Sequence, residues 1–253
     1  MATLHKFDPG GYAFLEGGFP YSAGAAALPG FSIVRARFHR VLPVADGFAA
    51  IEAHLRAAGR PLTALCAAEL RSPRPFSLEG FRDFNAGYVA VLRRWDLVRD
   101  GLNPVARSNV CPQFDPPAQP GFFAFSYTVP DAATAAPCSF VVAGSGEWPE
   151  DTPFPQGIVA RGDTSPAGLA AKTDYVLRTM RERTAGLGGE WAALTAAQVY
   201  TVHDIHPLLG SHLAADGLTR IGLTWQVCRP PIVELEYEMD VRSVANELVL
   251  GIG

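Results

Sequence analysis

Apolar positions recur at helical spacing in two matching places along this chain. Phe48, Ile51 and Leu55 fall on one face of Ala45–Gly59, and Gly59 supplies a C-terminal stop. Leu169, Thr173, Val176, Leu177 and Met180 do the same within Pro166–Gly186, a helix opened by a Ser165-Pro166 cap. A short apolar run follows each helix, Leu62–Leu70 in the first case and Ala192–Val202 in the second, and each reads as a buried strand. Ser77 caps a further helix, whose apolar positions Phe81, Phe84, Tyr88, Val91 and Leu92 keep the period to about Trp95. Ile205–Leu213 predicts a short helix in the corresponding place of the second half.

Strands are predicted over Phe31–Leu42, Val105–Cys111, Phe122–Val129, Ser139–Ala143, Leu223–Arg229 and Ile232–Val241. The last two flank Pro230-Pro231, which reads as a tight turn between paired strands. The opening stretch, with Gly10, Gly11, Gly17 and Gly18 among aromatics, cannot be a long helix. Val129–Pro137 has small residues between prolines and no period. It divides the chain into 1–129 and 130–253, two copies of one α+β plan with helices packed on one face of a mixed sheet.

Composition narrows the function. Hydrophobic residues make up 48% of the 253, enough for a packed core. A net charge of -4 without a basic stripe argues against nucleic acid as a partner. Charged residues reach only 18%, which hints at surface hidden by oligomerisation. The four cysteines form no C-x-x-C pair, so a zinc site has poor support. No apolar start resembles a signal peptide, and no run reaches membrane-spanning length, so a cytoplasmic protein that does not contact membrane is expected.

Five short motifs carry a family resemblance. Gly18-Phe19-Pro20-Tyr21-Ser22, Phe81-Arg82-Asp83-Phe84-Asn85 and Ala106-Arg107-Ser108-Asn109-Val110 stand in the first half. Phe140-Val141-Val142-Ala143-Gly144 and Val233-Glu234-Leu235-Glu236 stand in the second. In order and spacing they resemble the Rid family of reactive-intermediate deaminases, also called YjgF-like or L-PSP proteins, in two tandem copies. The resemblance implies a chorismate-mutase-like α+β fold, a homotrimer with clefts between neighbouring domains, and no cofactor. It further implies hydrolysis of an imine or enamine of a small 2-amino acid, such as an aminomuconate, to the keto acid and ammonia. In that family an arginine holds the substrate carboxylate and a glutamate on the last strand places the attacking water.

The two copies depart from the pattern in complementary ways. The second half has Gly222 near the place of Arg107 and Leu208-Leu209 in place of Asn85, and the first half has Phe122-Phe123-Ala124-Phe125 where the glutamate belongs. Arg107 from one copy and Glu236 from the other could therefore share one composite cleft. Arg107 offers a planar fork that fits a carboxylate, the alternative being a structural ion pair. Glu236 could orient water, and by a period of two it shares a strand face with Glu234 and Glu238. The alternative is a solvated acidic edge. Tyr21, Asn85 and Ser108 are candidate substrate contacts, against ordinary core or surface roles.

His203-Asp204-Ile205-His206 lacks a third metal ligand, and Gly144-Ser145-Gly146 lacks the residues of a phosphate loop or nucleophile elbow. A non-catalytic protein that binds small carboxylates, or serves assembly, is the competing reading. A third is a different hydrolysis on the same scaffold, as in the related two-domain chorismatases.

Overall fold

The computed structural model describes residues 2–132, 139–149, 151–244 and 246–251. Strands β1 (Leu4–Phe7), β2 (Tyr12–Leu15), β3 (Gly24–Ala27) and β4 (Phe31–Pro43) lead into helix α1 (Val44–Ala57). Then come β5 (Leu65–Arg71), α2 (Leu78–Arg94), β6 (Ala106–Pro112) and β7 (Gly121–Pro130). The second half holds β8 (Phe140–Gly146), α3 (Pro166–Gly186), β9 (Ala196–Tyr200) and a one-turn α4 (His206–Leu208). It closes with β10 (Leu223–Gln226), β11 (Cys228–Arg229), β12 (Glu238–Ser243) and β13 (Asn246–Leu250). Most of the boundary stretch expected at Val129–Pro137 lies outside the described residues.

The chain is α+β, with two mixed sheets. One runs β1-β2-β3-β8-β12-β9-β10 and the other β11-β6-β5-β7-β4-β13. Strands cross between the halves: β3 pairs with β8, and β13 pairs with β4. The small side chains of β3 allow this. Ala25 packs in the core beneath α1 and α2, while Ala26 packs in the core beneath α3.

The predicted helical stripes form the cores. Phe48, Ile51 and Leu55 of α1 join Tyr88, Val89 and Leu92 of α2 over the second sheet. Leu169, Val176, Leu177 and Met180 of α3 cover the first sheet. Ser77 accepts a hydrogen bond from the amide of Gly80, and Ser165 from that of Gly168, as N-caps do. No helix of the described residues is long and apolar enough to cross a membrane.

Between the sheets lies a polar layer. Arg35 of β4 donates to both carboxylate oxygens of Glu69 on β5, at 2.5 and 2.8 Å. Burial alone would raise the Glu69 pKa. The Arg35 guanidinium, helped by Arg242 and Arg71, outweighs it and holds the carboxylate below its ordinary range. Glu247 of β13 closes the network by accepting from Arg242 at 2.7 Å and Arg35 at 3.2 Å.

The closing segment differs from the expected hairpin. β10 runs parallel to β9 in one sheet, while β11 pairs with β6 in the other. The prolines at 230 and 231 have no N–H to donate. The chain instead docks on Phe76, whose amide donates to the Pro231 carbonyl while its carbonyl accepts from Val233. Glu234 then takes a φ of 84°, and regular pairing resumes only at Glu238.

Candidate active site

A cleft of about 460 Å³ opens between α2, the loop before β3, the end of β8 and the start of β12. Arg107 enters it from β6. The residue is 2% exposed, and its Nε, Nη1 and Nη2 are buried and all lack a hydrogen-bond partner. Aromatic rings surround it instead, with Tyr88 and Tyr21 at 4.8 and 4.9 Å and Phe81 and Phe84 at 5.5 and 5.9 Å. Burial lowers its pKa, while Tyr88, Tyr21 and Glu238 pull the other way. An arginine stays charged under such conditions, so a desolvated cation stands ready for an anion.

The sequence explains why these groups meet. The Tyr21 loop is fastened beside β6 by Ser22, whose amide donates to the Val105 carbonyl, and by Asn103, whose side chain donates to the Pro20 carbonyl at 2.8 Å. On α2, Asn85 lies one turn beyond Phe81 on the buried face and is only 2% exposed. It is therefore no ordinary surface residue. Its Oδ1 is unpaired, as is the Tyr88 hydroxyl. Burial pushes the Tyr88 phenol up to about 12.

Tyr21, Asn85 and Arg107 thus line one cleft. Ser108 and Glu236 do not join them. Ser108 faces the opposite side of β6, where its hydroxyl donates to Asp240 at 2.6 Å in the polar layer. Glu236 is drawn away by His203, at 2.7 Å, with Arg229 at 3.7 Å. The turn at Glu234 breaks the alternation that would have put three glutamates on one face. Of the two histidines considered for metal, His203 thus meets Glu236 and His206 meets Asp204.

The carboxylate that shares the cleft with Arg107 is Glu238. It is 4% exposed, and no hydrogen bond to a described residue holds it. Burial raises its pKa well above the ordinary value, and the nearby Asp240 and Glu147 add to the effect. Arg71 and Arg107 oppose it only in part. The group is therefore biased toward the neutral acid.

Two features place Glu238. A bulge between Met239 and Val241 re-aims the start of β12 against β8. Gly144 on β8 leaves the necessary room, since a Cβ there would strike the Glu238 carboxylate and crowd Ser108. Glu147 anchors the preceding turn. Its carboxylate accepts from the amides of Glu236 and Tyr237, at 2.7 and 3.1 Å, and from Lys172 of α3 at 3.2 Å. The Glu147 and Lys172 side chains are completely buried.

Asn109 was legible only through Arg107. It lies two residues on and so points the same way, with its Nδ2 unpaired and its Oδ1 accepting from Ser72 at 2.9 Å. Arg107, Asn85 and Asn109 leave five buried polar atoms unsatisfied on the lining of one cleft, and the hydroxyl of Tyr88, whose ring lies 4.8 Å from the Arg107 guanidinium, adds a sixth behind it. Folded proteins rarely tolerate such a concentration unless a ligand completes it. The arrangement can bind a carboxylate, orient an amine, and exchange a proton through Glu238.

Comparison with known proteins points to the same chemistry. The sequence profile of the family described as "2-aminomuconate deaminase CnbZ" matches residues 4–248. The chain is 51% identical over 251 residues to 2-amino-5-chloromuconate deaminase of Comamonas testosteroni, covering 99% of this chain and 100% of that protein. Among solved structures, a crystal structure of chorismatase aligns at a TM-score of 0.47 with 13% identity, covering 88% of this chain and 77% of that one.

Proposed function

Because the chain belongs to the 2-aminomuconate deaminase family, we propose that its Arg107 cleft hydrolyses a 2-aminomuconate to the 2-oxo acid and ammonia. The observation that carries this is the set of unpaired polar groups around Arg107 in a cleft shared with the buried Glu238, whose pKa burial raises.

The chemistry follows from which atoms are unpaired. The Arg107 fork takes the carboxylate at C1, which places the amine-bearing C2 beside Glu238. Asn85 Oδ1 accepts from the substrate amine, and Asn109 Nδ2 donates to a substrate oxygen. The dienamine nitrogen forms the C2=N bond as a chain carbon takes the Glu238 proton. The resulting Glu238 carboxylate removes a proton from water, whose oxygen adds to C2. Proton transfer to nitrogen and loss of ammonia leave the 2-oxo acid. Substrate plus water equals product plus ammonia, and the imine carbon is electrophilic enough to need no cofactor.

The test is release of ammonia from 2-aminomuconate by purified protein, followed together with loss of the diene chromophore. Turnover supports the reading. Tight binding of unreactive muconate with no ammonia would favour the non-catalytic carboxylate binder. A homotrimer fits the edge strand β13, which presents Leu248 and Val249 to solvent, and light scattering tests it.

A further inference from the structure

The cleft has a direction. Its buried end carries Arg107, Asn85, Asn109 and Glu238. Beyond them the lining turns apolar, with Phe81, Ile232, Leu235 and Trp148 packed as one cluster. Arg82 lines the same cleft from α2 and is exposed. No ion pair or hydrogen bond with another described residue occupies its guanidinium. Arg82, Arg107 and Glu238 are the charged residue types of the lining.

This pattern suits one ligand shape. A conjugated six-carbon diene is rigid and extended, so its two ends cannot fold back onto one cation. Arg107 is 2% exposed and ringed by Tyr21, Phe81, Phe84 and Tyr88, so the two ends of such a diene cannot both reach it. A second carboxylate must lie past the apolar wall, toward solvent. Arg82 stands three residues before Asn85, hence on the adjoining strip of the same helical face, at the outer part of the cleft.

We infer that Arg82 forms a distal-carboxylate subsite, which selects dicarboxylates over monocarboxylates of the same chain length. The inference rests on the deaminase reading for the orientation of the substrate. Arg82 is a specificity residue that touches the far end of the ligand and takes no part in proton transfer. Its exposure limits its contribution, because water and salt screen the pair.

The test compares two unreactive dienes that differ only at the far end. Muconate (hexa-2,4-dienedioate) carries both carboxylates, and sorbate (hexa-2,4-dienoate) has a methyl group in place of the second. Calorimetric titration of wild type is expected to show muconate binding more tightly. Arg82→Gln should weaken muconate binding about three- to tenfold and leave sorbate unchanged, and Arg82→Lys should restore most of the preference. Wild type that binds muconate no more tightly than sorbate overturns the inference. So does Arg82→Gln that leaves muconate binding intact or weakens both ligands equally. Neither ligand carries an amine, so this result is separate from turnover. A protein that releases no ammonia from 2-aminomuconate yet loses muconate selectivity in Arg82→Gln keeps the subsite and loses the deaminase reading.

Discussion

Arg107 and Glu238 line one cleft from opposite halves of the chain, each buried and neither held by a hydrogen bond from a described residue. β6 carries the arginine and the start of β12 the glutamate. Burial raises the Glu238 pKa and biases the group toward the neutral acid, which disfavours an internal salt bridge between the pair. That leaves the cation available for an anion, and the acid form of Glu238 suits the proton transfer proposed above.

A buried guanidinium without hydrogen bonds is a stability cost, which the proposed carboxylate-binding role accounts for. Replacing it by Arg107→Met is expected to stabilise the fold by roughly 1 kcal/mol or more, because unsatisfied donors are removed from the interior. The same variant should lose roughly 2–5 kcal/mol of transition-state binding. Urea unfolding and kcat/KM together check this. A variant that is both less stable and fully active would contradict it.

Gly144→Ala adds a methyl group where the Glu238 carboxylate lies. It should lower kcat with little effect on the affinity for muconate. In a double-mutant cycle, adding Gly144→Ala to Glu238→Gln should cost little further activity, because both changes act through the same carboxyl group. Fully additive losses would show that Gly144 matters for another reason.

The raised pKa of Glu238 has a defined effect on stability. Its folded value exceeds its unfolded value, so the folded state binds more protons across the interval between them. The contribution is complete below the ordinary carboxylate pKa and is lost as pH rises through the folded value. Relative to Glu238→Gln, wild type should therefore lose stability steadily as pH rises above the ordinary carboxylate range. Parallel denaturation curves across pH check the sign, and a difference that does not change with pH would exclude it.

Glu147 and Lys172 form a fully buried ion pair behind the turn that delivers Glu238. Lys172→Met leaves the Glu147 carboxylate buried without its cation and should cost about 3–5 kcal/mol. Adding Glu147→Gln should return part of that loss. Denaturant midpoints of both single variants and the double variant measure the coupling.

The helices and the cores were legible in the sequence because they rest on local rules, whereas Arg107 was legible through the family resemblance of Ala106–Val110. A stripe such as Phe48, Ile51 and Leu55 and a cap such as Ser77 are set within a few residues. Asn85 was legible as a candidate through its motif, although only packing decides that it is buried. Glu238 was visible only as one of three glutamates at alternate positions. What separates it from Glu236 is a turn at Glu234, the docking of Pro231 and Val233 on Phe76, and the carboxylate of Glu147. These contacts join residues far apart in the chain, and a period of two carries no information about them. The pairing of β3 with β8 and of β13 with β4 is hidden for the same reason, since each joins residues far apart in the chain.

The most direct test sets the two glutamates against each other. Ammonia release from 2-aminomuconate and muconate affinity should be measured for wild type, Glu238→Gln and Glu236→Gln. Glu238→Gln is expected to lose roughly 10²–10⁴-fold in kcat while still binding muconate, the range for loss of a general acid–base group. Glu236→Gln, which changes only the pairing with His203 and Arg229, should keep turnover within a few fold. Loss of turnover in Glu236→Gln with Glu238→Gln still active would contradict the assignment of the cleft.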